Sequence, residues 1–288
     1  MSLKYLVTGA SGQLGAQVID RLLKTEAPET IGALVRRPEA ASALEARGVA
    51  VRVASYDATE ALRAAFTGVE RLLLVSSSEV GQRAPQHRNV IEAAKAAGVD
   101  FIAYTSLLRA KESPLGDLPA EHIETEDDLA ASGLHYAVLR NGWYTENYAM
   151  SAAPAIENGA FIGAAGDGRI ASAARKDYAE AAAAVLMGDL PASGTIYELA
   201  GDTGYTLTEF AAELSRLTGK DIPYVNMTEA KFKETLLGAG LPEGLAKLLS
   251  ESDRGASVGG LDSDDGTLGR LIGRPITAWQ DTLNEALA

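Results

Sequence analysis

No cysteine occurs in the 288 residues, which excludes disulfides, a thiolate nucleophile and zinc–thiolate sites. Histidine is nearly as scarce, and His87, His122 and His135 are too scattered to suggest a metal centre. No apolar run is long enough to span a bilayer, and no charged-then-apolar leader opens the chain. The expected setting is therefore the cytoplasm, without membrane insertion. Basic residues are outnumbered, 26 Lys and Arg against 39 Asp and Glu, and the net charge of −13 argues against nucleic acid as a general partner. The deficit is uneven: residues 1–110 carry 13 basic and 11 acidic side chains, residues 111–288 carry 13 and 28. The acidic part reads as a solvated surface that aids solubility. The near-neutral first part suits a site that must admit an anion.

What is present begins at the N-terminus, with Tyr5-Leu-Val-Thr-Gly9-Ala-Ser-Gly12-Gln-Leu-Gly15. Tyr5, Leu6 and Val7 read as a strand buried on both faces. From Gln13 to Lys24, Leu14, Val18, Leu22 and Leu23 recur at helical spacing. The glycines thus fall where a strand becomes a helix. Gly9 permits the tight turn, Gly12 lets a pyrophosphate approach the backbone, and Gly15 lets the helix lie close on the sheet. With Ala10, Ser11, Gln13 and Leu14 between them, they form a candidate phosphate cradle at a helix N-terminus. The spacing is G-x-x-G-x-x-G rather than G-x-G-x-x-G. A ligand-free glycine turn is the competing reading; the position between first strand and first helix favours a dinucleotide site.

Thr30–Val35 reads as the second strand and ends at Arg36-Arg37-Pro38. About 20 residues past such glycines, an NAD site places Asp or Glu on the ribose 2′-hydroxyl. Arginines stand here instead, and a guanidinium matches a 2′-phosphate in charge and geometry, so Arg36 in particular points to NADPH. A helix is expected over 39–47 and a third strand over 49–53. In the next loop Tyr56 is a candidate cofactor contact, and Asp57 either accepts from the adenine amino group or caps the following helix. Arg71–Val75 reads as the fourth strand, and Ser76, Ser77 and Ser78 just beyond it should face the cofactor's ribose or nicotinamide. A helix over 84–97, a strand over 101–105 with Ser106 past its end, a helix over 120–131 and a strand over 135–139 complete the alternation. The fold class is α/β, a doubly wound parallel (Rossmann) sheet over residues 1–150.

Past Arg140 the pattern changes. Asn141-Gly142-Trp143-Tyr144-Thr-Glu-Asn147-Tyr148 is polar and aromatic. Trp143, Tyr144 and Tyr148 offer faces for a flat ring or for packing between lobes. Asn141 and Asn147 can donate to a developing oxyanion. Arg175 reaches a phosphate or substrate, or pairs with acidic neighbours. His122 is a proton relay or a polar helix residue. Turn signals at Asn158-Gly and Gly166-Asp-Gly168 flank short strands; Asp177 starts a helix through Met187; Thr206–Glu209 is a capping box for a helix to Leu217. A short strand is expected over 222–225 and a mobile loop over 255–266. Residues 151–288 form a smaller, mostly helical substrate lobe, packed closely on the first. An oligomer is compatible with the sequence.

In short-chain dehydrogenases, a Ser-Tyr-Lys set with Tyr four positions before Lys protonates a carbonyl oxygen as hydride arrives. None of the ten tyrosines here has Lys at that spacing, which tells against the usual ketone or sugar-epimerase chemistry. Other segments are more specific: Thr8–Gly15, Leu73–Asn89, Ala103–Leu107, His122–Glu126, Leu139–Asn147, Phe161–Gly168 and Ile272–Pro275. In these the chain resembles the NmrA-like atypical short-chain dehydrogenases, above all the bacterial NADPH:quinone oxidoreductases, with triphenylmethane reductases as near relatives. Some members carry Lys where Glu126 falls here, so a lysine role is not carried over. The resemblance implies nicotinamide near Ser76–Ser78 and Asn141–Asn147; from the residues themselves, Asn141, Asn147 and Tyr144 are the catalytic candidates. Gly142, Trp143 and Tyr144 join the cofactor contacts, and Trp143, Tyr148 and Arg175 the substrate contacts, in a cleft between the lobes. The expected activity is flavin-free hydride transfer from NADPH to a quinone. A non-catalytic NADP(H) sensor, or a reductase of another planar electrophile such as a triphenylmethane dye, are the alternatives.

Overall fold

Leu3–Val7 (β1) is almost wholly buried and has a parallel neighbour on each side, which is why it is apolar on both faces. The computed structural model of the protein describes residues 2–288. Ile31–Val35 (β2), Ala50–Val53 (β3), Val69–Leu74 (β4), Phe101–Leu107 (β5) and Tyr136–Asn141 (β6) pair with β1 and one another in parallel. Two short strands, Phe161–Gly163 (β7) and Tyr224–Asn226 (β9), make a separate parallel pair, and Thr195–Leu199 is β8. The main sheet runs β3-β2-β1-β4-β5-β6-β8. The chain leaves β1 toward β2 and β3, then returns to lay β4 on the other side of β1. The order therefore reverses between β1 and β4, the place where open α/β sheets bind ligands beyond the strands' carboxyl ends.

The chain divides into two compact units that interleave in sequence. One comprises residues 1–107, 121–141 and 176–197, the other 108–120, 142–175 and 198–288. The sequence expectation of one boundary at 150 differs from this division, because the helix Arg175–Met187 from Lys176 onward and the start of β8 go with the sheet. In the first unit Phe66, Leu72, Leu74, Ile102 and Tyr104 belong to one buried cluster, each large side chain contributing roughly 1.5–3 kcal/mol of apolar transfer. In the second, Tyr148, Phe161, Tyr205, Phe210 and Trp279 form an aromatic core, with Tyr205 and Trp279 ring centroids 4.5 Å apart. Among the described residues no helix is long and apolar enough to cross a membrane.

Three sequence expectations change. The helix over 39–47 is a 3₁₀ turn, Pro38–Ala40, followed by a four-residue helix, Ser42–Glu45, with only Leu44 buried to hold it. β5 runs on to Leu107, so Ser106 lies inside the strand. The loop expected over 255–266 is partly helical, because the helix Glu243–Ser257 takes in Gly255. Its glycines serve close packing: a Cβ at Gly255 would lie 2.6 Å from Leu115, and one at Gly260 the same distance from Pro114. Arg109 further pins the segment by donating to the carbonyls of Gly259 and Asp262.

Candidate functional site

At the end of β1 the chain turns through Gly9, whose φ of +57° is a left-handed conformation that favours glycine. The helix Gln13–Leu22 follows at once. A Cβ at Gly15 would lie 2.3 Å from the Gly9 carbonyl oxygen, so the turn and the helix can meet this closely only with glycine there. The first bond into the helix runs from the Ala16 N–H to the Gly12 carbonyl at 2.9 Å. Helix geometry thus leaves the N–H groups of Gln13, Leu14 and Gly15 without carbonyl acceptors. No side chain caps this end, and its first turn has no acidic residue. Ser11, Gly12 and Gln13 are exposed, whereas Ala10 is buried and its N–H donates to the Leu34 carbonyl at 3.2 Å. An exposed, uncapped, glycine-lined helix end fits the pyrophosphate of a dinucleotide.

Tyr56 supports this turn from inside. Its buried hydroxyl lies 2.5 Å from the Thr8 hydroxyl and donates to the Val75 carbonyl at 2.8 Å, while Thr8 Oγ1 accepts the Val75 N–H at 3.0 Å. Burial pushes the phenol well above its usual range. The hydroxyl therefore ties β1 to the end of β4. Asp57 does not cap the helix Thr59–Phe66, whose N-cap Ala58 carries no side-chain bond; it accepts instead from Gln86 Nε2 at 3.4 Å. Arg36, just past β2, is 61% exposed and forms an ion pair with Glu79 from the loop after β4.

That loop, carrying Ser76, Ser77 and Ser78, is held through its backbone. The Ser76 N–H donates to Thr105 Oγ1 at 2.9 Å. The helix Arg83–Ala97 grips Ser77 with two residues one turn apart: Arg83 Nε donates to the Ser77 carbonyl at 2.6 Å, and His87 Nε2 accepts the Ser77 N–H at 2.9 Å. Thr125 Oγ1 gives its own proton to the Glu121 carbonyl at 2.8 Å, so the 2.9 Å contact with His87 Nδ1 is a donation from the ring. This fixes a neutral tautomer. Burial first, then the charge of Arg83, lowers the His87 pKa to about 3. His122 is held alike, 2.8 Å from the Tyr104 hydroxyl, with its pKa also lowered to about 3 by burial and Arg83. That places His122 in a buried network rather than in an open relay. Glu121 finishes the clamp by accepting the Gly81 N–H at 2.8 Å.

Ser106, inside β5, is sealed. Parallel register sets it beside Arg140, and Glu126 covers both. Ser106 Oγ donates to Glu126 Oε1 at 2.5 Å, and Arg140 reaches the two carboxylate oxygens from Nε at 3.0 Å and a terminal nitrogen at 2.6 Å. The group is a bidentate ion pair between buried Glu126 and half-buried Arg140, with the buried Ser106 hydroxyl turned inward.

Beyond β6 the aromatic residues part company. Asn141, Gly142 and Trp143 are buried, while Tyr144 and Asn147 are half-buried. Tyr148, expected to face a substrate, is buried and donates to Asp253 Oδ1 at 2.9 Å; its place is in the aromatic core of its unit. Asp253 Oδ2 also accepts the Ala164 N–H at 2.8 Å. Burial raises the Asp253 pKa to about 6 against the pull of those two bonds. Arg175 is buried too. Its guanidinium lies 4.9 Å from the Tyr144 ring centroid and 4.0 Å from Glu146, whose oxygens accept the backbone N–H of Arg175 at 2.9 and 3.0 Å. An acidic neighbour, one of the alternatives for Arg175, is thus present in Glu146. His87, Arg83 and Glu79 escaped the sequence reading, since each acts through a contact across the fold; only the i, i+4 pairing of Arg83 and His87 was there to be noticed.

A family model described as NAD(P)H-binding matches residues 9–189. The chain is 58% identical over 278 residues to quinone oxidoreductase 2 of Escherichia coli (strain K12), 96% of each chain being covered. The crystal structure of the NADPH-dependent quinone oxidoreductase from Escherichia coli complexed with NADPH aligns with a TM-score of 0.96 at 57% identity, over 99% of this chain and 100% of that one. Triphenylmethane reductase from Citrobacter sp., complexed with NADP(H), aligns with a TM-score of 0.93 at 35% identity, over 98% and 100%. With its glycine turn inside the matched region and such relatives along its whole length, the chain belongs to the NAD(P)H-binding family, among the NmrA-like members.

Proposed function

We propose that the protein is an NADPH-dependent quinone oxidoreductase that passes hydride directly to a quinone without a flavin. The observation that carries this reading is the 58% identity to quinone oxidoreductase 2, spread over 96% of both chains. The uncapped helix end at Gly12–Gly15 supports it, as does Arg36 at the end of β2. When bound, NADPH supplies the hydride. The amides of Gln13, Leu14 and Gly15 hold the pyrophosphate, Arg36 holds the 2′-phosphate, and the clamped Ser76–Ser78 loop orients the nicotinamide end. A quinone is strongly electrophilic and its reduced form is stabilised by conjugated oxygens, so it needs less help from a general acid than a ketone does. A site without the Tyr/Lys pair, with Ser106 bonded to Glu126, suits such an acceptor. Asn141, Asn147, Tyr144 or water support the acceptor oxygen, and Trp143 and Tyr144 supply aromatic surface. A small planar acceptor and a cytoplasmic setting belong to the same reading.

The test is NADPH oxidation followed with and without a quinone. Quinone-dependent turnover is expected, with a primary isotope effect from NADPH deuterated on the transferred face where hydride transfer limits the rate. Stoichiometric flavin in the purified protein would refute the direct route. No oxidation with any quinone tried would favour a dinucleotide sensor. The 35% identity to triphenylmethane reductase supports a second reading, reduction of a cationic dye, measured in the same assay.

A further inference from the structure

We propose that Glu79 sets how strongly the protein prefers NADPH over NADH, by competing with the 2′-phosphate for Arg36. The inference rests on the reading of Arg36 just given. Glu79 comes from the loop after β4, and one carboxylate oxygen is paired with the Arg36 guanidinium. Its other oxygen accepts from Gln86 Nε2 at 2.8 Å, and the same nitrogen lies 3.4 Å from Asp57. Gln86 is buried on the helix Arg83–Ala97, so the carboxylate is anchored from behind rather than drifting at the surface. Arg36 and Glu79 nevertheless remain 61% and 43% exposed, open to a ligand.

Two opposing recognition groups thus stand at one spot. A guanidinium matches a phosphate; a carboxylate accepts from a ribose hydroxyl. A 2′-phosphate must take Arg36 from Glu79 and then sit beside an anchored negative charge. A 2′-hydroxyl carries no charge and donates to Glu79 while the ion pair stays closed. Glu79 therefore weakens NADPH and strengthens NADH, and Gln86 prevents it from swinging clear.

The experiment is titration of wild type, Glu79→Gln and Glu79→Ala with NADPH and with NADH, at low and high salt, with Arg36→Ala alongside. Because Glu79 is exposed, its variants should melt with wild type. Exposed charge interactions change affinity by roughly two- to five-fold. Glu79→Gln should tighten NADPH and loosen NADH by about that factor each, and the gain for NADPH should shrink as salt screens the repulsion. Glu79→Ala should show the same opposite signs, with the larger loss for NADH. A merely structural role would weaken both cofactors together, and that result overturns the proposal. A silent Glu79→Gln beside an Arg36→Ala that loses NADPH selectively overturns the role of Glu79 and leaves the enzyme reading standing. Wild type that binds neither cofactor overturns both.

Discussion

His87 Nε2 accepts the backbone N–H of Ser77 at 2.9 Å. A loop expected to face a cofactor through its serines is thus fixed through its backbone by a fully buried imidazole. The ring's other nitrogen is engaged by Thr125, so its tautomer and its neutrality are both set. What a scarce histidine contributes here is a shaped acceptor, with its titration moved out of the physiological range.

Replacing His87 by Phe should leave the Ser77 N–H and Thr125 without their partner, costing about 1–3 kcal/mol. KM for NADPH should rise more than kcat falls, because the loop is displaced while the reacting atoms are not. His87→Gln, whose amide oxygen can still accept the Ser77 N–H, should recover most of the loss. Steady-state kinetics of both variants decide it. An equally poor Gln variant would mean that ring packing, rather than the hydrogen bond, holds the loop.

Much of the fold was legible because it is local. The turn at Gly9, the helix from Gln13, the capping box at Thr206 and Glu209 and the strands β1 to β6 all follow from short-range patterns. β8 was not foreseen, since Thr195-Ile-Tyr-Glu-Leu is half-exposed, with Ile196 47% accessible, and gives no continuous apolar run. The strand–turn–helix at the glycines was legible because it consists of backbone. The site was not legible where a side chain's meaning comes from a partner far along the chain. Tyr148 offers a flat face to a substrate until Asp253, 105 residues on, claims its hydroxyl. Ser106 reads as a residue just past a strand until Glu126, 20 residues on, accepts its proton.

Ser106→Ala tests that last point. A catalytic serine would cost orders of magnitude in turnover. Here kcat should stay within a few-fold of wild type, with stability reduced by about 1–3 kcal/mol for one hydrogen bond to a charged acceptor. Glu126→Gln should cost more, about 3–5 kcal/mol, because it leaves the half-buried Arg140 guanidinium beside a neutral amide. Thermal melts and turnover of the two variants give the comparison; a collapse of kcat in Ser106→Ala with a normal melt would restore the serine to the chemistry.

Asp253 makes stability depend on pH in a direction unusual for a carboxylate. Its folded pKa, raised by burial to about 6, exceeds the ordinary value of 3.8. Between these values the folded state binds the extra proton, so this group's contribution is full below pH 3.8 and is lost as pH rises through about 6. His87 and His122 act oppositely: with folded pKa values of about 3, they favour the fold above pH 6.5 and lose that contribution as pH falls. Asp253→Asn should isolate the acid's share. Relative to wild type, the variant should gain about 2–3 kcal/mol on going from pH 4 to pH 7. Denaturant titrations at the two pH values measure it, and parallel curves would show that Asp253 is not buried as a charge.

The two rim glycines should fail in different ways. A Cβ at Gly15 meets only backbone, 2.3 Å from the Gly9 oxygen, 2.8 Å from its carbon and 3.0 Å from the Ala10 Cα. Gly15→Ala must therefore open the turn itself and should cost about 1–3 kcal/mol of stability together with NADPH binding. At Gly12 the nearest atom is 3.1 Å away and the residue is exposed, with extended φ and ψ that a β-branched side chain accepts. Gly12→Val should fold and melt close to wild type, yet its branched side chain stands on the surface a pyrophosphate must approach, so NADPH affinity should fall at least about ten-fold. Melting curves and cofactor titrations on both variants separate a damaged turn from an obstructed one. If Gly12→Val keeps wild-type affinity, the pyrophosphate does not lie over this helix end, and the placement of the cofactor on the turn fails with it.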